Sequence, residues 1–176
     1  MCIIAFIRAV LERPFYRFDV LADYGAFRDL QRHRMMTVDW QVLCPEHGFE
    51  MPEAVEAAGE QKAFLEGMER SAELHDTLLE PFPDEAAYAV ALAYKLRFVM
   101  DMNARQAMHM LELRTSPQGH PAYRVVCQEM HRLIAEEAGH RALAEMMRFV
   151  DHSAEQPLER LDAERRAEAR RLGQGG

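Results

Sequence analysis

The stretch Val90-Ala91-Leu92-Ala93-Tyr94-Lys95-Leu96-Arg97-Phe98-Val99-Met100-Asp101-Met102 sets a large apolar residue at every second position. Seven successive matches (Val90, Leu92, Tyr94, Leu96, Phe98, Met100 and Met102) alternate with alanine, valine or charged residues. A helix repeats its buried face every three or four residues, whereas a half-buried strand repeats it every two. The alanines favour helix on propensity alone, but over a run this long the pattern outweighs propensity. The run therefore predicts a strand from Val90 to Met102. Asn103 follows directly; its side chain can accept a first-turn N–H, which predicts a helix to about Thr115 with Ala104, Met108 and Leu111 facing inward.

Outward from this stretch, Phe15 to Val20 also alternates, with Tyr16, Phe18 and Val20 on one side and Arg17 and Asp19 on the other. Helices are expected over Asp23–Arg32 and over Glu53–Glu80. The second is broken at Gly59, with Gly67 a further candidate break, and is stopped by Pro81-Phe82-Pro83. Thr115-Ser116-Pro117-Gln118-Gly119-His120-Pro121 reads as a turn, and Pro121 suits the first position of a helix reaching Ala138. A last helix is expected over His140–Val150, divided from it at Gly139. Two strands make a poor sheet, so a third is expected near Trp40 to Leu43, or from another chain. The expected architecture is one α+β unit, helix-rich with a small antiparallel sheet, over residues 1–154. A charged, solvated tail follows at 155–176. The chain opens abruptly, close to its first strand, which leaves open whether the unit is a fragment of something larger with an amino-terminal portion missing.

Composition narrows the function classes. The 176 residues carry 21 Lys+Arg against 29 Asp+Glu, a net charge of −8, and are 49% hydrophobic. Such a chain can bury a sizeable core and is not intrinsically disordered. An acidic balance argues against a general nucleic-acid binder, which needs a basic face to displace counterions. No run approaches the ~20 apolar residues that cross a bilayer. Cys2, Cys44 and Cys127, without C-x-x-C spacing, read as reduced thiols; with no basic leader or cleavage site, a cytoplasmic location is expected.

Two constellations stand out. Arg32-His33-Arg34 brings up to about ten N–H donors on two guanidiniums beside a titratable ring. It reads either as a phosphate-binding cluster or as basic residues complementing a helix dipole. On the helix after Asn103, Asn103, Gln106, Met110 and Arg114 share a face, with His109 at its margin. That face reads either as a solvated polar stripe or as a row of groups able to recognise a planar heterocycle. Other chemistries are poorly supported. No two of the eight histidines stand at i, i+4, and Glu129, His131 and Glu136 read as a surface cluster rather than metal ligands, so no metal is expected. Cys44, followed by Pro45-Glu46-His47, reads as an ordinary thiol rather than a His-activated nucleophile. No serine sits in G-x-S-x-G, and there is neither a dinucleotide fingerprint nor a P-loop.

Arg32-His33-Arg34, then a strand running into Asn103-Ala104-Arg105, then His109 and Leu111-Glu112-Leu113-Arg114, resembles the flavin-dependent thymidylate synthase (ThyX) family. That family carries R-H-R-x-x-S-x-N-x-x-S-x-R after a helix and, later, N-A-R on a strand-to-helix junction with L-x-L-R at the helix end. Order and spacing match over roughly Phe15 to Val150. The Ser116–Pro121 turn is similar to divergent, duplicated members in which two units share one polypeptide. The resemblance implies a ThyX-like fold and a protein that binds FAD and dUMP, takes a one-carbon unit from methylenetetrahydrofolate, and uses NADPH as reductant. It implies a homo-oligomer, or pairing with a second ThyX-like unit. By the same resemblance Arg32, His33, Arg34, Asn103 and His109 contact the flavin, and Arg114 is the catalytic arginine that approaches the uracil ring and stabilises its developing charge.

Departures from the family pattern fall on one side. The signature's serines are replaced by Thr37 and Val42, its asparagine by Asp39 and its last arginine by Cys44. Trp40 stands for a nucleotide-side glutamate, Asp29 for a glutamine, and Ala87 for a phosphate-binding arginine. Alanine, valine and cysteine cannot neutralise a phosphate dianion. The flavin-side pattern is kept and the dUMP-side pattern is largely lost, which leaves open an alternative: a flavin-binding or structural unit of a ThyX-like assembly, inactive alone.

Overall fold

A computed structural model describes residues 10–153; the expected charged tail at 155–176 lies outside them. The fold is α+β, with a three-stranded antiparallel sheet in the order β1-β3-β2. In chain order come β1 (Phe15–Asp23), α1 (Tyr24–Leu30), β2 (Thr37–Trp40), α2 (Glu53–Ala58), α3 (Gln61–Leu79), β3 (Lys95–Asn103), α4 (Ala104–Arg114), α5 (Pro121–Glu136) and α6 (Arg141–Met146). No described helix is long and apolar enough to cross a membrane. The chain divides into two compact units, Met1–Arg17 with Asp101–Gly176, and Phe18–Met100.

In the Phe18–Met100 unit the alternation of β3 is realised from Leu96 onward: Leu96, Phe98 and Met100 are buried while Arg97 is exposed. The strand begins at Lys95 rather than Val90, and the reason is local. Ser71 on α3 donates its hydroxyl to Ala89 O (2.6 Å) and accepts Ala91 N–H (2.9 Å), holding these residues in a turn. Tyr94 N–H closes that turn on Ala91 O, and its phenol donates to Met68 O (2.7 Å). Val90 and Tyr94 are thus buried beside Met68 of α3, whereas Leu92 is half-exposed. Apolar spacing of two arose here without a strand. The third strand, β2, lies slightly before the expected Trp40–Leu43.

Helix α1 starts on Asp23, whose Oδ1 accepts Ala26 N–H (2.8 Å). It buries Ala26, Phe27 and Leu30, with the Phe27 ring 4.9 Å from that of Phe98 and 5.5 Å from that of Trp40. The long helical stretch is cut at Gly59, which caps α2 with φ 75°, a conformation that favours glycine. Gly67 does not interrupt α3.

In the other unit, Asn103 caps α4 as expected, its Oδ1 accepting Gln106 N–H (2.9 Å). The buried face of α4 is Ala104, Gln106, Ala107, Met110 and Leu111; Met108, expected inward, is only half-buried. These residues form a core with Met102 and with Cys127, Met130 and Ile134 of α5. The bidentate Arg17–Asp101 pair (2.8 Å for both bonds) fixes β1 against β3 and holds the Asp101 carboxyl below its usual pKa, as Arg97 does for Asp19 in the other unit.

Helix α6 ends at Met146, short of the expected Val150, and the chain beyond it is fastened to α5. Gln128 donates to Asp151 O (2.9 Å). His131 Nε2 lies 3.0 Å from Ala144 O, which can only accept, so His131 keeps its proton there and its Nδ1 accepts from His152 Nε2 (2.9 Å). Burial, and then the neighbouring His131, lower the pKa of His152, against the opposing charge of Asp151. A histidine whose folded pKa is depressed contributes stability above its unfolded value, about 6.5, and loses it as pH falls through the folded value. The urea midpoint is therefore expected to decline between pH 7 and pH 5, and His152→Gln, which keeps a donor but does not titrate, to flatten that decline.

Candidate functional site

Arg32-His33-Arg34 follows α1 directly. Gln31 N–H and His33 N–H bond back to Phe27 O and Leu30 O (2.9 and 3.2 Å), so the helical turn carries the tripeptide beyond the helix end. His33 is buried at 8% exposure, while Arg32 and Arg34 are exposed. Arg32 Nη1 lies 3.5 Å from Asp29 Oδ1 one turn earlier. The carboxylate at the position where the family carries glutamine thus partly offsets one guanidinium and leaves Arg34 as the stronger anion donor of the pair.

Asn103, His109 and Arg114 are brought onto one helix, α4, in the other unit. The cap uses Asn103 Oδ1 and leaves its amide N–H groups for another partner. His109 is exposed and Arg114 half-buried. The stripe through Asn103, Gln106, Met110 and Arg114 is not a solvated surface: Gln106 is 6% exposed and Met110 fully buried. Gln106 Nε2 is enclosed with no hydrogen-bond partner among the described residues. Buried amide donors are nearly always paired, so this one marks a place where the fold supplies no acceptor.

Arg114 closes α4 with its guanidinium carbon 5.3 Å from the centre of the Tyr123 ring. Next to Tyr123, Arg124 is 3% exposed, and its Nε donates to Thr115 O (3.1 Å), the residue after Arg114. Neither residue was legible in the sequence, because their contacts reach across the turn into α4 at a spacing that belongs to no periodic pattern.

The remaining candidates carry less. Burial pushes the Cys127 thiol up to about 12, with the Arg114 charge opposing, so it is no nucleophile at neutral pH. His47 Nε2 donates to Gln41 Oε1 (2.8 Å), which engages the imidazole with a partner other than Cys44. Among the described residues no group of three or more His, Cys, Asp or Glu is placed to hold a metal ion; Glu129 and Glu136 instead flank Arg132. Of the positions that depart from the family pattern, Thr37, Asp39 and Trp40 are exposed along β2 and Val42 is 78% exposed; Cys44 and Ala87 are half-buried.

Comparison with known proteins bears on the family and the fold. The sequence model of the family described as thymidylate synthase complementing protein matches residues 5–139. UPF0159 proteins of Chlamydia pneumoniae and Chlamydia muridarum are 39% and 37% identical to the chain over 159 residues each, covering 90% of it but only 29% and 30% of the relatives. A UPF0159 protein of Thermoplasma acidophilum is 34% identical and covers 89% of the chain and 32% of the relative. The chain thus spans about a third of the length of the curated relatives it matches. The fold is similar to that of thymidylate synthase X from Helicobacter pylori, solved with FAD and dUMP, with a TM-score of 0.62 over 82% of this chain and 78% of that one, at 23% identity. With a capped strand-to-helix junction, a basic tripeptide after a helix and a family match across most of its length, the chain belongs to the thymidylate synthase complementing protein family, that of the ThyX enzymes.

Proposed function

We propose that the chain, within residues 1–154, is a unit of a cytoplasmic flavin-dependent thymidylate synthase that methylates dUMP to dTMP. It works as a homo-oligomer or paired with a second ThyX-like unit. The observation that carries this reading is α4, where an Asn cap, an enclosed amide without an acceptor and a terminal arginine occupy one helix face. These donors fit a flavin: neutral amides suit the carbonyls and ring nitrogens of an isoalloxazine, and exposed guanidiniums suit a pyrophosphate. Arg32, His33, Arg34, Asn103 and His109 would hold FAD, and Arg114 would face the uracil ring. FAD supplies the hydride when bound, with NADPH as reductant and methylenetetrahydrofolate as one-carbon donor. The side chains bind, orient and polarise.

The visible spectrum of the purified chain tests flavin binding, since oxidised flavin is yellow. Arg34→Ala removes charge-assisted bonds and is expected to weaken FAD binding about tenfold or more. His131→Ala, whose ring is engaged by Ala144 and His152, is expected to leave flavin content unchanged. A colourless protein that takes up no FAD refutes the reading.

The positions Val42, Cys44 and Ala87 favour a second reading, in which this unit holds flavin and another unit with intact phosphate contacts binds dUMP. Titration of dUMP into the unaltered chain separates the two, because tight binding there excludes the second.

A further inference from the structure

Arg114 does not stand alone at the end of α4, and its surroundings lock one another. Tyr123 is 9% exposed, its ring lies under the Arg114 guanidinium, and Gly119 faces its edge. A Cβ on Gly119 would come within 2.9 Å of Tyr123 Cε2, 3.0 Å of Ser116 O and 3.1 Å of Arg114 O. Only a residue without a side chain lets the turn close this tightly against both the ring and the helix end. Thr115 is fully buried; its hydroxyl donates to Leu111 O (2.7 Å), and its carbonyl accepts from Arg124 (3.1 Å).

We infer that Tyr123 is a positioning residue for Arg114: its ring face fixes the plane of the guanidinium and thereby aims the fork of N–H donors at the substrate. A guanidinium is planar and recognises carbonyl groups along its edge, so its orientation decides whether its donors meet an acceptor. An aromatic face attracts the cation and limits its rotation. The remaining parts then have assigned tasks. Gly119 admits the ring, His120 caps α5 by accepting Ala122 N–H (3.3 Å), and Arg124 holds the backbone carrying Arg114. The inference rests on the reading of Arg114 as the group that approaches uracil.

The test is a double-mutant cycle on dUMP affinity in the FAD-loaded protein, followed by kcat and KM for dUMP methylation. Tyr123→Leu is expected to weaken dUMP about fivefold and to lower kcat more than it raises KM. Tyr123→Phe keeps the ring and is expected to match the unaltered protein. In an Arg114→Ala background, Tyr123→Leu is expected to cause no further loss of affinity. Equal losses in both backgrounds, or a Phe variant as impaired as Leu, would overturn the positioning role while leaving the reading of Arg114 intact. If the Leu variant does not fold, Tyr123→Met takes its place in the cycle. If the unaltered chain has no dUMP affinity, the reading of Arg114 falls, and this inference with it.

Discussion

Arg124→Ala is expected to lower the unfolding free energy by about 3 kcal/mol, the cost of removing a buried, hydrogen-bonded guanidinium and leaving its acceptors unpaired. For a chain of this size that corresponds to a fall of about 6–12 °C in Tm, measurable by calorimetry or circular dichroism. The residue is 3% exposed, and its side chain reaches three places: Thr115 O (3.1 Å), Ser153 Oγ (3.4 Å) and Ser153 O (3.5 Å). Asp151 is its only carboxylate partner among the described residues, at 3.9 Å, and is itself partly exposed. The neutral carbonyl is closer and better buried, so it carries more of the interaction than the long ion pair. Asp151→Asn is therefore expected to cost under about 1 kcal/mol. If Asp151→Asn were as damaging as Arg124→Ala, the ion pair rather than the carbonyl clamp would hold the end of α4.

How far such features can be read from sequence depends on the range of the forces that create them. The Asn103 cap was legible because an N-cap bond spans three residues and needs only the right side chain before an apolar-periodic run. Gly59 was legible for the same local reason, since its positive φ is a property of one residue. Leu96 to Met102 could be read as a strand because sheet burial repeats every second residue. Val90 to Tyr94 shares that spacing, yet it is held by Ser71 and Met68 from α3, which its own sequence does not reveal. Burial of Gln106 and Arg124 was illegible for a stronger reason: both are polar residues whose types predict solvent, and only tertiary packing encloses them. Within the candidate site, the tripeptide and the α4 residues could be named from order and spacing, but the support under Arg114 could not. The ring that carries it comes from beyond a turn that closes tightly only in the folded chain.

On the proposed reading of Arg114, Arg114→Lys is expected to reduce kcat for dUMP methylation by about 10²–10³-fold, the loss typical when one donor that stabilises developing charge is removed. Lysine keeps the positive charge, so a purely long-range electrostatic role would survive the change. What it loses is the planar fork that lies over the Tyr123 ring, its central carbon 5.3 Å from the ring centre, because an ammonium is a compact point charge with no plane to orient. The fold should tolerate the substitution: Arg114 is half-buried in the last turn of α4, and a lysine there still complements the negative end of the helix dipole. Unchanged Tm with collapsed kcat would therefore place the effect in the chemistry rather than in packing. Flavin content should also stay unchanged, since the groups proposed for FAD are Arg32, His33, Arg34, Asn103 and His109. Loss of bound flavin in Arg114→Lys would move this arginine to the cofactor side of the site, and near-normal turnover would show that charge alone, without the oriented fork, is enough at this position.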